Sequence, residues 1–277
     1  MSIELMQTHF GFTRMPFGRN LAHGMLHQHS SHAGAVARIT WCIEQHHIGV
    51  ITGEVGAGKT VAIRAATAAL DASRHVTIYL ANPVVGVRGI LHHIVAALGG
   101  VPSFYTSSLV AQAADALAGE QAERGRTPVV VIDESHLLQH EQMEAIRMLT
   151  SHDMDSGSPF AVLLVGQPTL RQRMRLGVLA ALDQRIGMRY AMPPMTDSET
   201  ADYIGHHTTI AGRSDTLFTA DAVTVIHNAG RGYPRAINNL GVHALTAAYA
   251  AGNPVVDEKA ARAQAPAGAD KPLSEPP

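Results

Sequence analysis

The chain has 277 residues, a formal net charge of -2 and one cysteine. Apolar residues make up 46% of the chain, which is enough to bury a sizeable core and excludes global disorder. Charged residues account for 16%, below the roughly 25% of an average soluble domain. The balanced charge argues against a protein that coats nucleic acid by charge alone, although it leaves room for a local basic stripe.

The length fits one domain of roughly 200 residues together with a smaller companion. The single Cys42 excludes an internal disulfide framework and suits a reducing compartment. No apolar run reaches the roughly 18 residues that a membrane span needs, and the amino end lacks the basic-then-apolar pattern of a secretory signal. We therefore expect a cytoplasmic protein that has no membrane partner.

Clustered Gly, Pro and Ser predict an irregular amino-terminal extension over residues 1–35, with Phe10, Phe12 and Phe17 as anchors on a neighbouring surface. A helix is expected over residues 33–45. Short apolar runs then alternate with helical stretches, which is typical of a parallel sheet flanked by helices. The candidate strands are residues 48–52, 76–81, 129–133, 161–166 and 188–192. This α/β core is expected to span residues 36–194.

Start and stop signals after Pro194 indicate helices with no strand between them. The predicted helices run from Asp197 to Gly212, from Thr219 to Gly230 and from Pro234 to about Ala251. We interpret residues 195–256 as a small all-helical lid. Residues 257–277 are rich in Ala and Pro and are predicted to be a disordered tail.

Residues 53–60 match the phosphate-binding loop pattern G-x-x-x-x-G-K-[ST] in full, directly after a candidate strand and at the start of a candidate helix. Glycines let backbone N–H groups converge on phosphate oxygens, and the helix amino end adds a positive partial charge. Lys59 is expected to contact the β and γ phosphates, and the Thr60 hydroxyl to help hold Mg²⁺. The predicted nucleotide contacts in this segment are Gly53, Glu54, Val55, Gly56, Ala57, Gly58, Lys59, Thr60 and Val61.

An apolar run over residues 128–132 ends in Asp133 and Glu134. Its Val/Ile block indicates a strand buried on both faces, so the carboxylates emerge at the carboxyl end, where ligands bind in open α/β sheets. Asp133 is predicted to support Mg²⁺, and Glu134 to polarise the attacking water as a general base. By itself the run would often be a strand ending in solvated acids, but the phosphate-binding loop favours the catalytic interpretation.

Three further side chains are candidates for sensing the γ-phosphate. Gln167 ends an apolar run and is predicted to bond that phosphate or orient the water; a locally satisfied loop amide is the alternative. Among five arginines between residues 171 and 189, Arg185 is our choice for reaching a neighbouring subunit's γ-phosphate, and most of the others are expected on a solvated helix face. Arg235, in the first turn of a lid helix, is predicted to contact the phosphates, unless it caps its own loop.

Taken in order, the phosphate-binding loop, the Asp-Glu strand end, Leu-Leu-Val-Gly-Gln-Pro-Thr-Leu, the Gln-Arg pair at 184–185 and Gly-Tyr-Pro-Arg-Ala-Ile-Asn-Asn form a distinctive set. Over about residues 9–256 the chain resembles the AAA+ ATPases grouped with TnsC/TniB-like transposition regulators and the ExeA-like secretion ATPase. The resemblance implies ATP and Mg²⁺ at the predicted residues and Arg185 as a finger in trans. It also implies homo-oligomers, either rings or helical filaments with about six subunits per turn.

In the transposition branch, the resemblance implies an ATP-bound assembly that lines duplex DNA, recruits or activates a transposase with or without a target-selection adaptor, and disassembles on hydrolysis. ExeA-like proteins carry a transmembrane segment and a peptidoglycan-binding module that this sequence lacks, which favours that branch. The alternatives are a secretion or envelope-assembly ATPase acting on protein partners, and a nucleotide-gated scaffold with negligible turnover. Arg88 and Thr106 are the candidate DNA contacts, and contacts to the backbone would be largely sequence-independent.

Overall fold

The computed structural model describes residues 2–18, 21–151 and 157–263. The chain forms two compact units. The α/β unit contains His32–Val55 and Lys59–Met192. Of the described residues, the helical unit contains those up to Ser31, the short segment Gly56–Gly58 and those from Pro193 to Ala263. The described residues up to Ser31 therefore belong to the helical unit, rather than to an extension of their own.

A parallel five-stranded sheet forms the centre of the α/β unit, as the sequence predicted. In chain order the strands are β1 (Ile48–Thr52), β2 (His75–Leu80), β3 (Thr127–Ile132), β4 (Ala161–Gly166) and β5 (Ile186–Ala191). Their order across the sheet is β2-β3-β4-β1-β5. Because the strands are parallel, the carboxyl ends of β1, β3 and β4 meet at one edge of the sheet, where ligands bind in folds of this kind.

The helices of the described residues cover the sheet and build the helical unit. In chain order they are α1 (Ile3–Phe10), α2 (Ser30–Glu44), α3 (Lys59–Ala68), α4 (Gly86–Ala97), α5 (Thr106–Arg124), α6 (His140–Leu149), α7 (Pro168–Met174), α8 (Ala180–Arg185), α9 (Asp197–Ile210), α10 (Ala220–Gly230), α11 (Pro234–Ala250) and α12 (Glu258–Arg262). The helix predicted over 33–45 thus begins earlier, at Ser30. The three lid helices begin where the capping signals placed them.

One apolar core lies under helices α4, α5 and α6 in the α/β unit. Ile94 of α4, Leu117 of α5 and Ile146 of α6 pack in one cluster with Val130 of β3 and Leu164 of β4. Each is nearly inaccessible to solvent, and burying a side chain of this size contributes about 1.5–3 kcal/mol. This core fixes β3 and β4, and with them the residues that follow at their carboxyl ends.

The irregular conformation predicted for residues 1–35 is wrong for residues 3–10, which form α1. The Ser2 side chain accepts a hydrogen bond from the Leu5 N–H at the start, and Gly11, with φ of 71°, ends the helix. Met6 and Phe10 lie four residues apart on one face, and both are buried. The irregular segment was predicted from the Gly, Pro and Ser residues that follow. That prediction gave too little weight to the capping serine and to the two apolar residues spaced four apart.

The disorder predicted for residues 257–277 is also wrong at its beginning, because Glu258–Arg262 form α12. The Asp257 carboxylate caps this helix by accepting the N–H of Ala260 at 2.8 Å. Ala260 and Ala261 are buried in the core of the helical unit. The small residues that suggested disorder are those that let the helix pack closely. Residues 264–277 lie outside the described part of the chain.

A buried histidine lies in the core of the helical unit. His207, on α9, is 2% exposed; its ring stacks on Phe17 at 5.2 Å and lies 4.4 Å from the ring of Tyr203. Burial, followed by the charges of two neighbouring histidines and an arginine, lowers the pKa of His207 from 6.5 to about 4. The native state therefore favours a neutral imidazole at this position.

This histidine predicts a loss of stability in mild acid. Between about pH 6.5 and pH 4 the unfolded state binds more protons than the folded state, so the free energy of unfolding falls as the pH falls. The loss at pH 5 is about 2 kcal/mol. Replacement of His207 by Phe keeps an aromatic ring and is expected to remove this loss, as measured by thermal melts at pH 7 and pH 5. Equal acid shifts of Tm in both proteins would contradict the assignment.

Candidate active site

The phosphate-binding loop connects β1 to α3. Gly56 and Gly58 have φ of 85° and 92°, a region that side chains with a Cβ rarely adopt. Lys59, the first residue of α3, donates hydrogen bonds from Nζ to the carbonyl oxygens of Gly53 at 2.7 Å and Glu54 at 2.9 Å. Lys59 thus donates to backbone carbonyl oxygens of its own loop. Phosphate oxygens can replace these acceptors, so that the ammonium group keeps its hydrogen bonds when a nucleotide binds.

The other predicted nucleotide contacts of this segment differ in their exposure to solvent. Glu54 and Val55 are exposed, Ala57 is buried, and Val61 is half-buried on α3. Any contact that these positions make with phosphates is therefore expected from their backbone N–H groups, as the motif requires.

Asp133 is the point where the predicted metal residues meet. It follows the last residue of β3, is 7% exposed, and accepts the Thr60 hydroxyl on Oδ2 at 2.9 Å. Its other oxygen, Oδ1, accepts the backbone N–H of Glu134 at 2.9 Å. A hydroxyl and a carboxylate held together are the oxygen ligands that Mg²⁺ prefers, so the two side chains fit the ion.

A second hydroxyl group donates a hydrogen bond to Asp133, and it was not predicted from the sequence. Tyr79, on β2, donates its hydroxyl proton to the same Oδ2 at 2.9 Å. Burial, followed by the hydrogen bond and charge of Asp133, raises the pKa of Tyr79 to about 12, so the phenol remains a donor at neutral pH. The available signal was an aromatic hydroxyl one residue before the end of the strand that pairs with the Asp-Glu strand.

Glu134 has a left-handed backbone, with φ of 51° and ψ of 33°. This region is sparsely populated for residues with a side chain and is often found at functional sites. The Glu134 carboxylate lies 3.4 Å from Nδ1 of His136, and 52% of its side chain is exposed. The turn thus leaves a carboxylate within reach of water directly beside Asp133, as a general base requires.

Arg173 fixes the turn that follows Glu134. From α7 it donates one N–H to the carbonyl of His136 and another to the carbonyl of Leu138, each at 2.5 Å. These bonds hold the 3-10 turn Ser135–Leu137 in place. Arg173 is thus half-buried with two of its nitrogens bonded, whereas Arg171 and Arg175 are exposed, in line with the solvated face expected for most of these arginines.

Gln167 follows β4 and occupies the position before the first residue of α7. The Gly166 carbonyl accepts the N–H of Gly53 at 3.3 Å, so the end of β4 lies beside the start of the phosphate-binding loop. The structure therefore brings Gln167 to the same edge of the sheet as Lys59 and Asp133. Its contact with a γ-phosphate stays a prediction.

Arg185 is placed elsewhere. It is the last residue of α8 and precedes β5, so it lies at the amino end of a strand parallel to β1, opposite the edge that carries the phosphate-binding loop. The structure does not bring it together with the same chain's Lys59. A role in a neighbouring subunit's site stays a prediction.

Arg235 contacts the loop through its backbone. Its N–H donates to the carbonyl of Gly56 at 3.3 Å, and a Cβ on Gly56 would lie 2.7 Å from the Cβ of Arg235. Both residues belong to the helical unit by their contacts. The predicted contact of the Arg235 guanidinium with phosphates stays a prediction.

The two candidate DNA contacts are both exposed. Arg88, in the first turn of α4, donates from Nε to the Phe104 carbonyl at 3.4 Å, and its guanidinium lies 5.7 Å from the centre of the Phe104 ring. Thr106 is the first residue of α5. Apolar side chains dominate the exposed surface here, including Val101, Phe104 and Tyr105.

The sequence profile of the AAA domain family matches residues 43–174, which run from the end of α2 to the end of α7. The chain is 89% covered by the Aeropyrum pernix ORC2 protein, solved as ADPNP–ADP complexes, with a TM-score of 0.65 and 19% identity over 70% of that chain. The chain has the P-loop AAA+ fold. The Thermotoga maritima RuvB Holliday junction branch migration motor is a further structural relative, with a TM-score of 0.55 and 17% identity over 83% of this chain and 67% of that one.

General secretion pathway protein A of Aeromonas hydrophila is similar in sequence to this chain. The two are 29% identical over 255 residues, which cover 88% of this chain and 45% of that protein. The chain thus spans less than half of the length of this relative. Among the described residues, no helix is both long and apolar enough to cross a membrane.

Replacement of Tyr79 by Phe is expected to raise the Mg²⁺ concentration needed for tight nucleotide binding. Asp133 loses one of two hydroxyl donors on Oδ2, and loss of a residue that orients a metal ligand costs about 10-fold or more in metal affinity. Titration of Mg²⁺ against a fluorescent ATP analogue measures the change. Exposed Tyr105→Phe serves as the matched control, and equal Mg²⁺ requirements in the two variants would rule out this role.

Replacement of Arg173 by Met is expected to lower kcat for ATP hydrolysis by about 10- to 100-fold, because the turn that places Glu134 loses both of its guanidinium bonds. Nucleotide affinity is expected to be unchanged, since Lys59 and Thr60 lie outside the turn. Steady-state hydrolysis and analogue binding separate the two quantities. Arg64→Met, at an exposed position on α3, is the control. An unaltered kcat would refute the positioning role.

Proposed function

We propose that the chain hydrolyses ATP to ADP and phosphate in a Mg²⁺-dependent reaction. The observation that carries the proposal is the hydrogen bond from Thr60 to Asp133, made at the end of a complete phosphate-binding loop. Beside it stands the solvent-accessible carboxylate of Glu134. The AAA+ fold and the profile match over residues 43–174 support the same activity.

Each residue of this group has a distinct part in the proposed reaction. When bound, Mg²⁺ neutralises charge on the β and γ phosphates. Thr60 and Asp133 hold the ion through their oxygens. Lys59 exchanges its two carbonyl acceptors for phosphate oxygens, and the loop N–H groups donate to the same phosphates.

Glu134 acts on the attacking water in this proposal. Its carboxylate accepts the proton that the water releases as the oxygen attacks the γ-phosphorus, and ADP leaves with the electron pair of the broken P–O bond. Gln167 is proposed to bond the γ-phosphate from the end of β4. The clamp from Arg173 keeps the turn that carries Glu134 in place before the substrate arrives.

The chain is further proposed to act as a cytoplasmic homo-oligomer. Arg185 lies at the edge of the sheet opposite its own phosphate-binding loop, so it is a candidate for donating to the nucleotide of a neighbouring copy. An arginine supplied in trans stabilises charge on the transferring phosphate. Arg235 is proposed to sense the nucleotide from α11. In this arrangement ATP favours assembly and hydrolysis favours release.

For the partner, we propose duplex DNA in a transposition system, with a transposase recruited or activated by the ATP-bound assembly. The ordered motif set supports it, and RuvB, a structural relative, is described as a Holliday junction motor. Arg88 and Thr106 remain the proposed contacts. One cation per subunit is sparse, but an oligomer repeats each phosphate contact along the duplex.

A secretion or envelope-assembly ATPase that acts on a protein partner is the second candidate. The similarity to General secretion pathway protein A over 88% of this chain favours it. So does the surface around Arg88, where exposed Phe104 and Tyr105 are better suited to a protein than to a phosphate backbone. The two candidates share the hydrolysis step and differ in what it drives.

One experiment tests hydrolysis and the DNA partner together, with the wild type, Lys59→Ala and Glu134→Gln. Labelled random duplex is titrated with each protein in ATP and Mg²⁺, and phosphate release is measured in parallel. We expect duplex binding by the wild type that Lys59→Ala loses with its nucleotide. Glu134→Gln is expected to retain the duplex while hydrolysis falls by about 100-fold or more. Glu141→Gln, an exposed acid on α6, is the matched control.

The outcomes separate the candidates. A wild-type rate no higher than that of Glu134→Gln would leave only a nucleotide-gated scaffold. Intact hydrolysis without duplex binding across a range of salt concentrations would exclude the DNA partner and favour the secretion-type ATPase.

A further inference from the structure

A cavity with a mixed polar and apolar lining lies in the α/β unit on the β5 side of β1. Its volume is about 360 Å³, and it is bounded by α7 and by the carboxyl halves of β1 and β5. Val50 and Thr52 of β1 form its recessed floor, each 4% exposed. They pair in register with Arg189 and Ala191 of β5, so these four residues lie on one face of the sheet. None of the residues of the phosphate-binding loop lines it.

The charge in this cavity is strongly positive. Arg171 reaches it from α7, and Arg175 from the position directly after that helix, where the backbone angles are still helical. Their spacing of four residues therefore places the two side chains on one face. Arg189 reaches it from β5 and is already held, since it donates to Asp183 Oδ1 at 2.8 Å and to the Asp183 carbonyl at 2.6 Å. Three guanidinium groups therefore face one carboxylate.

Two of these cations are left for a ligand. Within the described part of the chain, neither the Arg171 nor the Arg175 guanidinium has a hydrogen bond or ion pair, whereas Asp183 is neutralised by Arg189. Like charges four residues apart along a helical turn repel each other and are mildly destabilising. In the free protein the two guanidinium groups therefore repel each other, and a bound anion would be attracted to both of them and offset that repulsion.

The shape and the donors together define the chemical class of that anion. A guanidinium presents a planar fork of N–H donors that matches phosphate oxygens in pairs, and two free forks suit more than one phosphate group. The volume lies at the lower end of the roughly 300–1,000 Å³ range of small-molecule pockets, which exceeds the needs of a single small ion. A recessed floor admits a small ligand more readily than the backbone of a duplex.

We propose that this cavity is a second anion site that binds the phosphate chain of a small molecule, either a free polyphosphate or the phosphates of a nucleotide. Arg171 and Arg175 supply the free guanidinium groups, Arg189 a prepositioned one, and Thr52 a hydroxyl at the floor. The proposal does not depend on ATP hydrolysis, because none of its residues belongs to the Lys59, Asp133 and Glu134 group.

The test uses the full chain with Lys59→Ala, so that the phosphate-binding loop has lost its lysine. Tripolyphosphate is titrated by calorimetry at about 150 mM salt, where contacts to scattered surface charges are largely screened. The same titration is made after adding Arg171→Ala and Arg175→Ala together. Arg74→Ala, an exposed arginine before the opposite edge strand β2, is the matched control in the same background.

We expect saturable binding that the control variant keeps and that the double arginine variant weakens by at least about 10-fold. No binding in the Lys59→Ala protein would overturn the proposal. So would equal affinity in the double variant, or equal weakening in the control. Because both arginines are exposed, thermal melts are expected to show a folded double variant; the single Arg175→Gln variant, with a milder loss, gives a second measurement.

Two further arms identify the source of the phosphate. Competition by ATP or ADP at lower concentration than tripolyphosphate would assign the site to a nucleotide, and weaker competition would assign it to a free polyphosphate. Binding of a short duplex alone, with no binding of tripolyphosphate or nucleotide, would overturn the proposal in favour of a nucleic-acid contact.

Discussion

Two hydroxyl groups on a single carboxylate oxygen tie the site to the fold. Asp133 Oδ2 accepts Thr60 from the start of α3 and Tyr79 from β2, so a helix and two neighbouring strands meet at one atom. A nearly buried carboxylate that accepts three hydrogen bonds, one of them from the next backbone N–H, has few other orientations available. The position of the phosphate-binding loop relative to the Asp-Glu strand therefore depends on this residue.

The turn after Asp133 extends the same constraint to the general base. Glu134 occupies a backbone region that costs about 1–3 kcal/mol for a residue with a side chain, and such a conformation persists only where neighbours enforce it. The two bonds from Arg173 to the following carbonyls are that enforcement. Helix α7, which begins after β4, thus determines through Arg173 the position of the Glu134 carboxylate, which follows β3.

Much of the fold followed from strong local signals. Buried Val/Ile blocks and a complete eight-residue motif predicted the parallel sheet, because both depend on neighbours in sequence. Tyr79 and Arg173 were missed, since their partners lie 54 and at least 35 residues away and no local pattern records such pairs. The missed α1 and α12 are short helices whose stability comes from burial in a core that their own composition does not reveal.

The close approach of α11 to the loop changes what the motif tolerates. The pattern leaves the position of Gly56 open to any amino acid, yet here its backbone angle excludes most side chains, and the Cβ of Arg235 excludes even a methyl group. A position that the general pattern leaves open is therefore strongly biased toward glycine in this molecule. If mutants of the loop were selected for a folded protein, we would accordingly expect substitutions at residues 54 and 55 but a strong preference for glycine at residue 56.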